Sequence, residues 1–266
     1  MPAAAEEREQ PTLLTGERTW PGIPRENYWF MRHLACYRWA AATLARYLAG
    51  PPVDGRPLLD AGAGEGYGSA ELAQRVGRGV VALELDERTA GHTRTHYPSL
   101  AVMRANLVAL PCRDDAFAAS VSLQVIEHIW DPQTYLRELD RCTAGHVVVS
   151  TPNRPVHSPH VGRGQRPDNP FHVREFDALE LRDLLAQTAP DRTPRLYGLL
   201  HGPRIVEWEE PRGSLPTALL NENEHENDDW RTTHTFASSI TDTDFVIEEM
   251  DPRNMHDRAL DLVALW

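Results

Sequence analysis

The 266-residue chain has no lysine, so all 27 of its basic side chains are arginine. That bias reads as the mark of a high-GC coding sequence and says nothing about activity. Cysteine is scarce: Cys36, Cys112 and Cys142 stand far apart with no Cys-x-x-Cys pair. The spacing fits neither a disulfide framework nor a zinc knuckle and predicts buried thiols. No apolar run approaches the roughly 20 residues a bilayer crossing needs, which argues against a membrane span. The opening Met-Pro-Ala-Ala-Ala-Glu-Glu-Arg has no basic start followed by an apolar core. A secretory signal is therefore not expected, and the cytoplasm is the expected location. Positive charge is in deficit, with a net charge of −12 at pH 7. A nucleic-acid backbone, which calls for a clustered positive field, is disfavoured as a partner.

Apolar material is ample, at 41% of residues, and the length suits one large domain or a domain with a sizeable insertion. Residues 1–16 are polar and Pro-bearing and are expected to start disordered. The aromatic-rich stretch Glu26-Asn-Tyr28-Trp29-Phe30-Met-Arg32-His33 runs into a helical pattern through about Leu48, which Pro51-Pro52 ends. Strand and helix then alternate. Strands are predicted over 56–61, 80–85, 100–104, 120–125, 146–150 and 195–200, and helices over 67–76, 87–96, 132–142 and 176–187. Residues 155–170 read as a loop and 203–245 as an acidic, weakly periodic insertion, and 259–266 close the chain as a core strand. Apolar strands alternating with helices argue for a doubly wound α/β sheet with helices on both faces.

The most informative stretch is Asp60-Ala-Gly62-Ala-Gly64-Glu-Gly66-Tyr-Gly68, where the first strand passes into a helix. A leading carboxylate suits a cationic amino-acid ligand better than a pyrophosphate. The next strand ends in Ala82-Leu-Glu84-Leu-Asp86, about twenty residues on, where an acid can hold two ribose hydroxyls. At these residues the chain resembles the class I S-adenosylmethionine-dependent methyltransferases, over roughly residues 56–153. The resemblance implies a Rossmann-like, mostly parallel sheet with an antiparallel last strand, and S-adenosyl-L-methionine as cofactor. By its motifs, Asp60, Gly62 and Gly64 surround the methionine part, Glu84 holds the ribose, and Asn106-Leu107 lie beside adenine. Gln124 falls near the reacting methyl, and Arg32 is a candidate for the cofactor's carboxylate, with a plain surface role as its alternative.

An oxygen acceptor calls for a base, and histidine suits that task near neutral pH. His33, His128, His172 and His201 fall in loops expected at the cofactor edge. His172 and His128 lead as bases, His201 follows, and Glu127 or Glu175 would orient the imidazole. Val125-Ile-Glu127-His128 resembles the signature of quinone-biosynthesis and small-RNA methyltransferases, in which a Glu-x-x-Glu-His run helps bind a divalent metal. Here Gln124 replaces the first glutamate, which removes an anionic ligand and counts against metal dependence. Substitute oxygens stand in the acidic run Glu222–Asp229, which reads better as a solvated loop. No metal ligands are assigned.

The stretches Thr15–Arg18, Glu26–His33, Asn169–Phe176 and Leu200–Arg204 are similar to actinobacterial sugar O-methyltransferases, nearest the mycobacterial methylglucose lipopolysaccharide 6-O-methyltransferase branch. That likeness implies a carbohydrate hydroxyl, on a glucose-type sugar or oligosaccharide, as acceptor. The pattern along the chain divides it into a helical N-terminal cap over 1–50, a cofactor-binding domain over 51–202 and 246–266, and an insertion over 203–245 expected to act as a lid. Two rivals stand beside the carbohydrate reading: methylation of a specialised metabolite such as a glycosylated natural product or phenol, and a cofactor-binding regulatory module without turnover. Oligomeric state is open, a homodimer included.

Overall fold

A computed structural model describes residues 19–49, 55–220, 228–250 and 258–266. A 21-residue helix, α1 (Asn27–Tyr47), leads into β1 (Leu58–Ala61), α2 (Tyr67–Val76), β2 (Val80–Glu84), α3 (Glu87–His96) and β3 (Ala101–Arg104). There follow β4 (Phe117–Leu123), α4 (Pro132–Cys142), β5 (Thr143–Pro152), the single turn α5 (Arg154–His157), α6 (Ala178–Thr188) and β6 (Arg195–His201). The helices α7 (Pro203–Glu209), α8 (Leu215–Leu220) and α9 (Asp228–Ser238) precede β7 (Phe245–Glu249) and β8 (Asp261–Leu265).

Local chemistry sets these boundaries. Asp86 and Asp131 accept from the N–H of Thr89 and Thr134 and so start α3 and α4. Asp177 and Glu180 form a reciprocal capping box on α6, and Gly77 ends α2 at a φ of +68°. The eight strands form one sheet in the order β3-β2-β1-β4-β5-β8-β6-β7. The pairs from β3 to β5 are parallel, and β8 runs antiparallel to both β5 and β6. The edge strand β7 is antiparallel to β6. Two apolar layers cover the two faces: α1 and α2 supply one with Tyr37, Leu44 and Leu72, and α4 and α6 the other with Tyr135, Leu139 and Leu181. Burial of these layers is the main favourable term in folding.

The doubly wound α/β sheet, its mostly parallel order and the antiparallel final strand all agree with the sequence reading. Several details differ. The fourth strand stops at Leu123 and not Val125, because Gln124 takes a left-handed φ of +57° and turns the chain off the sheet. The loop expected over 155–170 opens with a helical turn, α5. Among its described residues the insertion expected over 203–245 carries the helices α7, α8 and α9, and β7, which begins at its end, was not anticipated. Asn27 Nδ2 donates to the carbonyls of Ala237 and Ile240 at 2.9 Å, which ties this insertion to the first turn of α1. Cys36 and Cys142 are buried free thiols, and Cys112 is half-buried. The disorder expected over 1–16, the stretch Thr15–Arg18, Pro51-Pro52 and most of the acidic run Glu222–Asp229 lie outside the described residues.

Candidate active site

The glycine loop leaves β1 at the centre of the sheet. Gly62, Gly64 and Gly66 all have positive φ, at +84°, +53° and +86°. At Gly62 a Cβ would lie 2.5 Å from Val125 Cγ2, so the loop and the segment after β4 touch at a point where only glycine fits. Glu84 is built into the same loop: its Oε2 accepts from Gly64 N at 3.0 Å, and its Oε1 accepts from the N–H groups of Leu85 and Asp86. Asp60 lies beneath the loop, fully buried, accepting from Ser69 Oγ at 2.6 Å and from the Tyr37 hydroxyl at 3.3 Å. Burial pushes its carboxyl up to about 7. Asn106 is exposed and its Oδ1 accepts from Val108 N, closing a turn that buries Leu107.

Gln124 sits at the junction of two polar groups. Its Nε2 donates to Ser150 Oγ at 3.1 Å and to Asp261 Oδ1 at 3.2 Å. Asp261, at the start of β8, also holds Arg32 of α1 through both carboxylate oxygens, with Nε to Oδ2 at 2.7 Å and Nη2 to Oδ1. The two side chains are 3% and 2% exposed. Arg32, a candidate for the cofactor's carboxylate, therefore spends its guanidinium on Asp261, an internal charge with which its planar fork makes two hydrogen bonds. Burial works to raise Asp261, but Arg32 outweighs it and holds the carboxyl below its usual range. His157 lies alongside, its Nε2–H donating to the Leu260 carbonyl at 2.9 Å, and burial and then Arg32 lower it to about 4. His33, one residue from Arg32, is lowered to about 4 for the same two reasons.

Four of the five sequence-predicted acid–base residues come together. A short 3-10 turn, Ile126–His128, follows Gln124 and is laced to the segment before α6 by Val173 N and Arg174 N, both donating to the Glu127 carbonyl. Ligand atoms of Glu127, His128 and His172 all lie within 4.8 Å of one another, and the two imidazoles meet edge to face at 5.1 Å. Glu127 is buried, its Oε2 has no hydrogen-bond partner among the described residues, and burial pushes it up to about 8. His172 Nδ1–H donates to Glu175 Oε1 at 2.7 Å, while its Nε2 accepts from Asn169 Nδ2 at 3.0 Å. Burial works to raise Glu175, but the bond from His172 wins and holds it below the usual carboxylate range. His128 Nδ1 faces the Phe171 carbonyl at 3.2 Å. A carbonyl only accepts, so Nδ1 carries the proton and Nε2 presents the lone pair in the neutral ring.

His201 does not join this cluster. Its Nδ1–H donates to Glu209 Oε2 at 2.9 Å, and its Nε2 accepts from the buried Tyr28 hydroxyl at 2.6 Å. Both nitrogens are thus engaged in tying α1, β6 and α7 together, apart from the other candidate bases. Asp261, Ser150 and His157 were missed in the sequence. For Ser150 and Asp261 the only signal there is polarity inside otherwise apolar strands, and His157 falls in the segment read as a loop; neither says what they meet.

The described donor set suits a divalent cation of a particular kind. Two imidazoles and one carboxylate favour manganese, cobalt, iron or zinc over magnesium, which prefers oxygens. Among the described residues this is the one such group of His, Cys, Asp and Glu.

Residues 59–149 match the model of a family described as a methyltransferase domain. A probable S-adenosylmethionine-dependent methyltransferase of Mycobacterium tuberculosis is 42% identical over 214 residues, covering 80% of this chain and 73% of the relative. A protein of the same description from Mycolicibacterium smegmatis is 38% identical over 255 residues, 95% and 93% of the two chains. Among solved structures, a Thermotoga maritima methyltransferase described as a possible histamine N-methyltransferase aligns over 89% of this chain and 91% of its own. Its TM-score is 0.52 at 17% identity. A methyltransferase from Archaeoglobus fulgidus aligns over 86% and 93%, with a TM-score of 0.52 at 13% identity. These structures bear on the fold alone.

Proposed function

Because the chain belongs to the S-adenosylmethionine-dependent methyltransferases, we propose that it methylates a carbohydrate hydroxyl, on a glucose-type sugar or oligosaccharide, with position 6 the candidate oxygen. S-adenosylmethionine supplies an electrophilic methyl on a sulfonium that leaves as a neutral thioether. Asp60, Gly62, Gly64, Glu84, Asn106, Leu107 and Gln124 would hold it. What remains for the protein is to align the acceptor oxygen behind that methyl and to take the hydroxyl proton.

The observation that carries this reading is the contact of His128 Nδ1 with the Phe171 carbonyl, from which the ring's tautomer follows. With Nδ1–H on the Phe171 carbonyl, Nε2 accepts the acceptor's proton as the oxygen–methyl bond forms. His172, fixed by Glu175 and Asn169, braces the ring of His128. A neutral Glu127 at the cluster's buried edge avoids burying a free anion there. The N-terminal helix and residues 203–245, joined at Asn27, would form the cap and lid over the acceptor.

A second reading rests on the three converging donors. Glu127, His128 and His172 would hold a divalent cation, which would lower the pKa of the acceptor hydroxyl in place of a base.

The test is transfer of label from S-adenosylmethionine to a panel of gluco- and manno-oligosaccharides, glycosylated metabolites and catechols, with and without EDTA. Label is expected on a gluco-oligosaccharide. Removing the base as His128→Ala should lower kcat by about 10²-fold or more, with cofactor affinity unchanged by calorimetry. Loss of activity in EDTA, restored by manganese or cobalt, would select the metal reading. Label confined to a catechol or glycosylated metabolite would overturn the sugar assignment.

A further inference from the structure

Two large exposed aromatic side chains belong to the two short segments that carry the acid–base cluster. Trp130, two residues after His128, is 86% exposed and the most exposed of the molecule's large apolar side chains among the described residues. Phe171, the residue before His172, is 50% exposed. Neither has a ring contact elsewhere among the described residues. Their two segments are one structural unit: His128 Nδ1–H donates to the carbonyl of Phe171 itself, and Val173 and Arg174 donate to the carbonyl of Glu127. Nothing in folding requires these rings to face water, since exposing an indole forgoes the burial that stabilises every other part of the fold. Single exposed apolar residues are common. Two exposed aromatics on the joined segments that carry the two imidazoles of a candidate active site are a different matter.

We infer that Trp130 and Phe171 form a stacking platform for a pyranose ring of the acceptor, and so act as specificity-determining residues for a glycan. This rests on the sugar-acceptor reading above. A pyranose has one face of C–H groups that packs on an aromatic ring, while its rim hydroxyls stay solvated. An aromatic platform can therefore hold the sugar without using the polar groups that do the chemistry. It also seats the acceptor on the segment that fixes the His128 tautomer, so binding and proton transfer share one geometry.

The experiment compares wild type with Trp130→Ala, Trp130→Phe, Phe171→Ala and a control, Leu179→Ala, which removes an exposed apolar side chain of α6. Initial rates are measured against maltohexaose, and S-adenosylhomocysteine affinity by calorimetry. Loss of one stacked ring should raise the acceptor KM by about 5- to 10-fold. The effect should fall on KM more than on kcat, with the phenylalanine variant recovering most of it. Affinity for S-adenosylhomocysteine should match wild type, and the control should keep the wild-type KM. Unchanged KM in both alanine variants, while wild type labels the glucan, overturns the platform and leaves the sugar reading standing. A shift in sedimentation of Trp130→Ala from dimer to monomer also overturns it, since the ring would then be an interface between copies. Failure of wild type to label any saccharide removes both.

Discussion

Gly62 shows how a single hydrogen atom in place of a methyl group sets the cofactor loop. Its φ of +84° is in the region L side chains avoid, and its Cβ would stand 2.5 Å from Val125. Gly77 also has a positive φ, +68°, but there a Cβ meets nothing within 4 Å. Gly77→Ala should therefore cost only the backbone strain, about 1 kcal/mol, with cofactor affinity unchanged. Gly62→Ala should both destabilise and weaken S-adenosylhomocysteine binding by at least about tenfold, since steric overlap displaces the segment carrying Gln124. Calorimetry on the two variants checks the contrast; equal affinities would show that the loop does not depend on this contact.

At the scale of elements, the buried pair Arg32–Asp261 joins α1 to β8 across 229 residues of sequence. Removing one partner leaves a buried charge without its counterion. Arg32→Met alone should cost about 3–5 kcal/mol in chemical denaturation. The double change Arg32→Met with Asp261→Leu should recover most of that stability but not the turnover, because Gln124 loses its acceptor on Asp261. Full recovery of kcat would show that the pair is structural only. Such a contact illustrates what the sequence does and does not disclose. Helices α2, α3 and α4 are legible to the residue, because Gly77, Asp86, Asp131 and Pro132 act on their immediate neighbours. The glycine loop, Glu84 and the Glu127-His128 pair stand out as short motifs through their resemblance to known methyltransferases. The partners of Arg32 and His201 are not legible, since a guanidinium or imidazole in sequence carries no record of which distant carboxylate will meet it. β7 escaped because its alternation is short and follows an acidic segment with little period of its own.

Over the whole molecule, the buried ionisable groups around the site make stability depend on pH in a definite direction. His33 and His157 are lowered to about 4 by burial and Arg32. Below pH 6.5 the unfolded chain takes up protons that the folded chain refuses, so these two favour folding only above that range. Asp60 and Glu127 act in the opposite sense: burial raises them to about 7 and about 8. Their contribution is complete below the unfolded carboxylate range near 4 and is lost as pH rises through 7 and 8. Between pH 4.5 and 6.5 the two pairs oppose each other. From 6.5 to 8 the histidines are neutral in both states and only the carboxylates differ. Cofactor-free protein should therefore lose stability over that interval, by at most about 1.4 kcal/mol per pH unit for each group. Denaturation midpoints at pH 6.5, 7.25 and 8 should decline, and Asp60→Asn and Glu127→Gln should each flatten the decline. Asp60→Asn should also weaken S-adenosylhomocysteine, so the carboxylate that lowers stability at neutral pH would be kept for binding. A midpoint that stays level or rises toward pH 8 would mean that both carboxylates remain ionised inside the fold, and that their buried surroundings are less apolar than the packing around them implies.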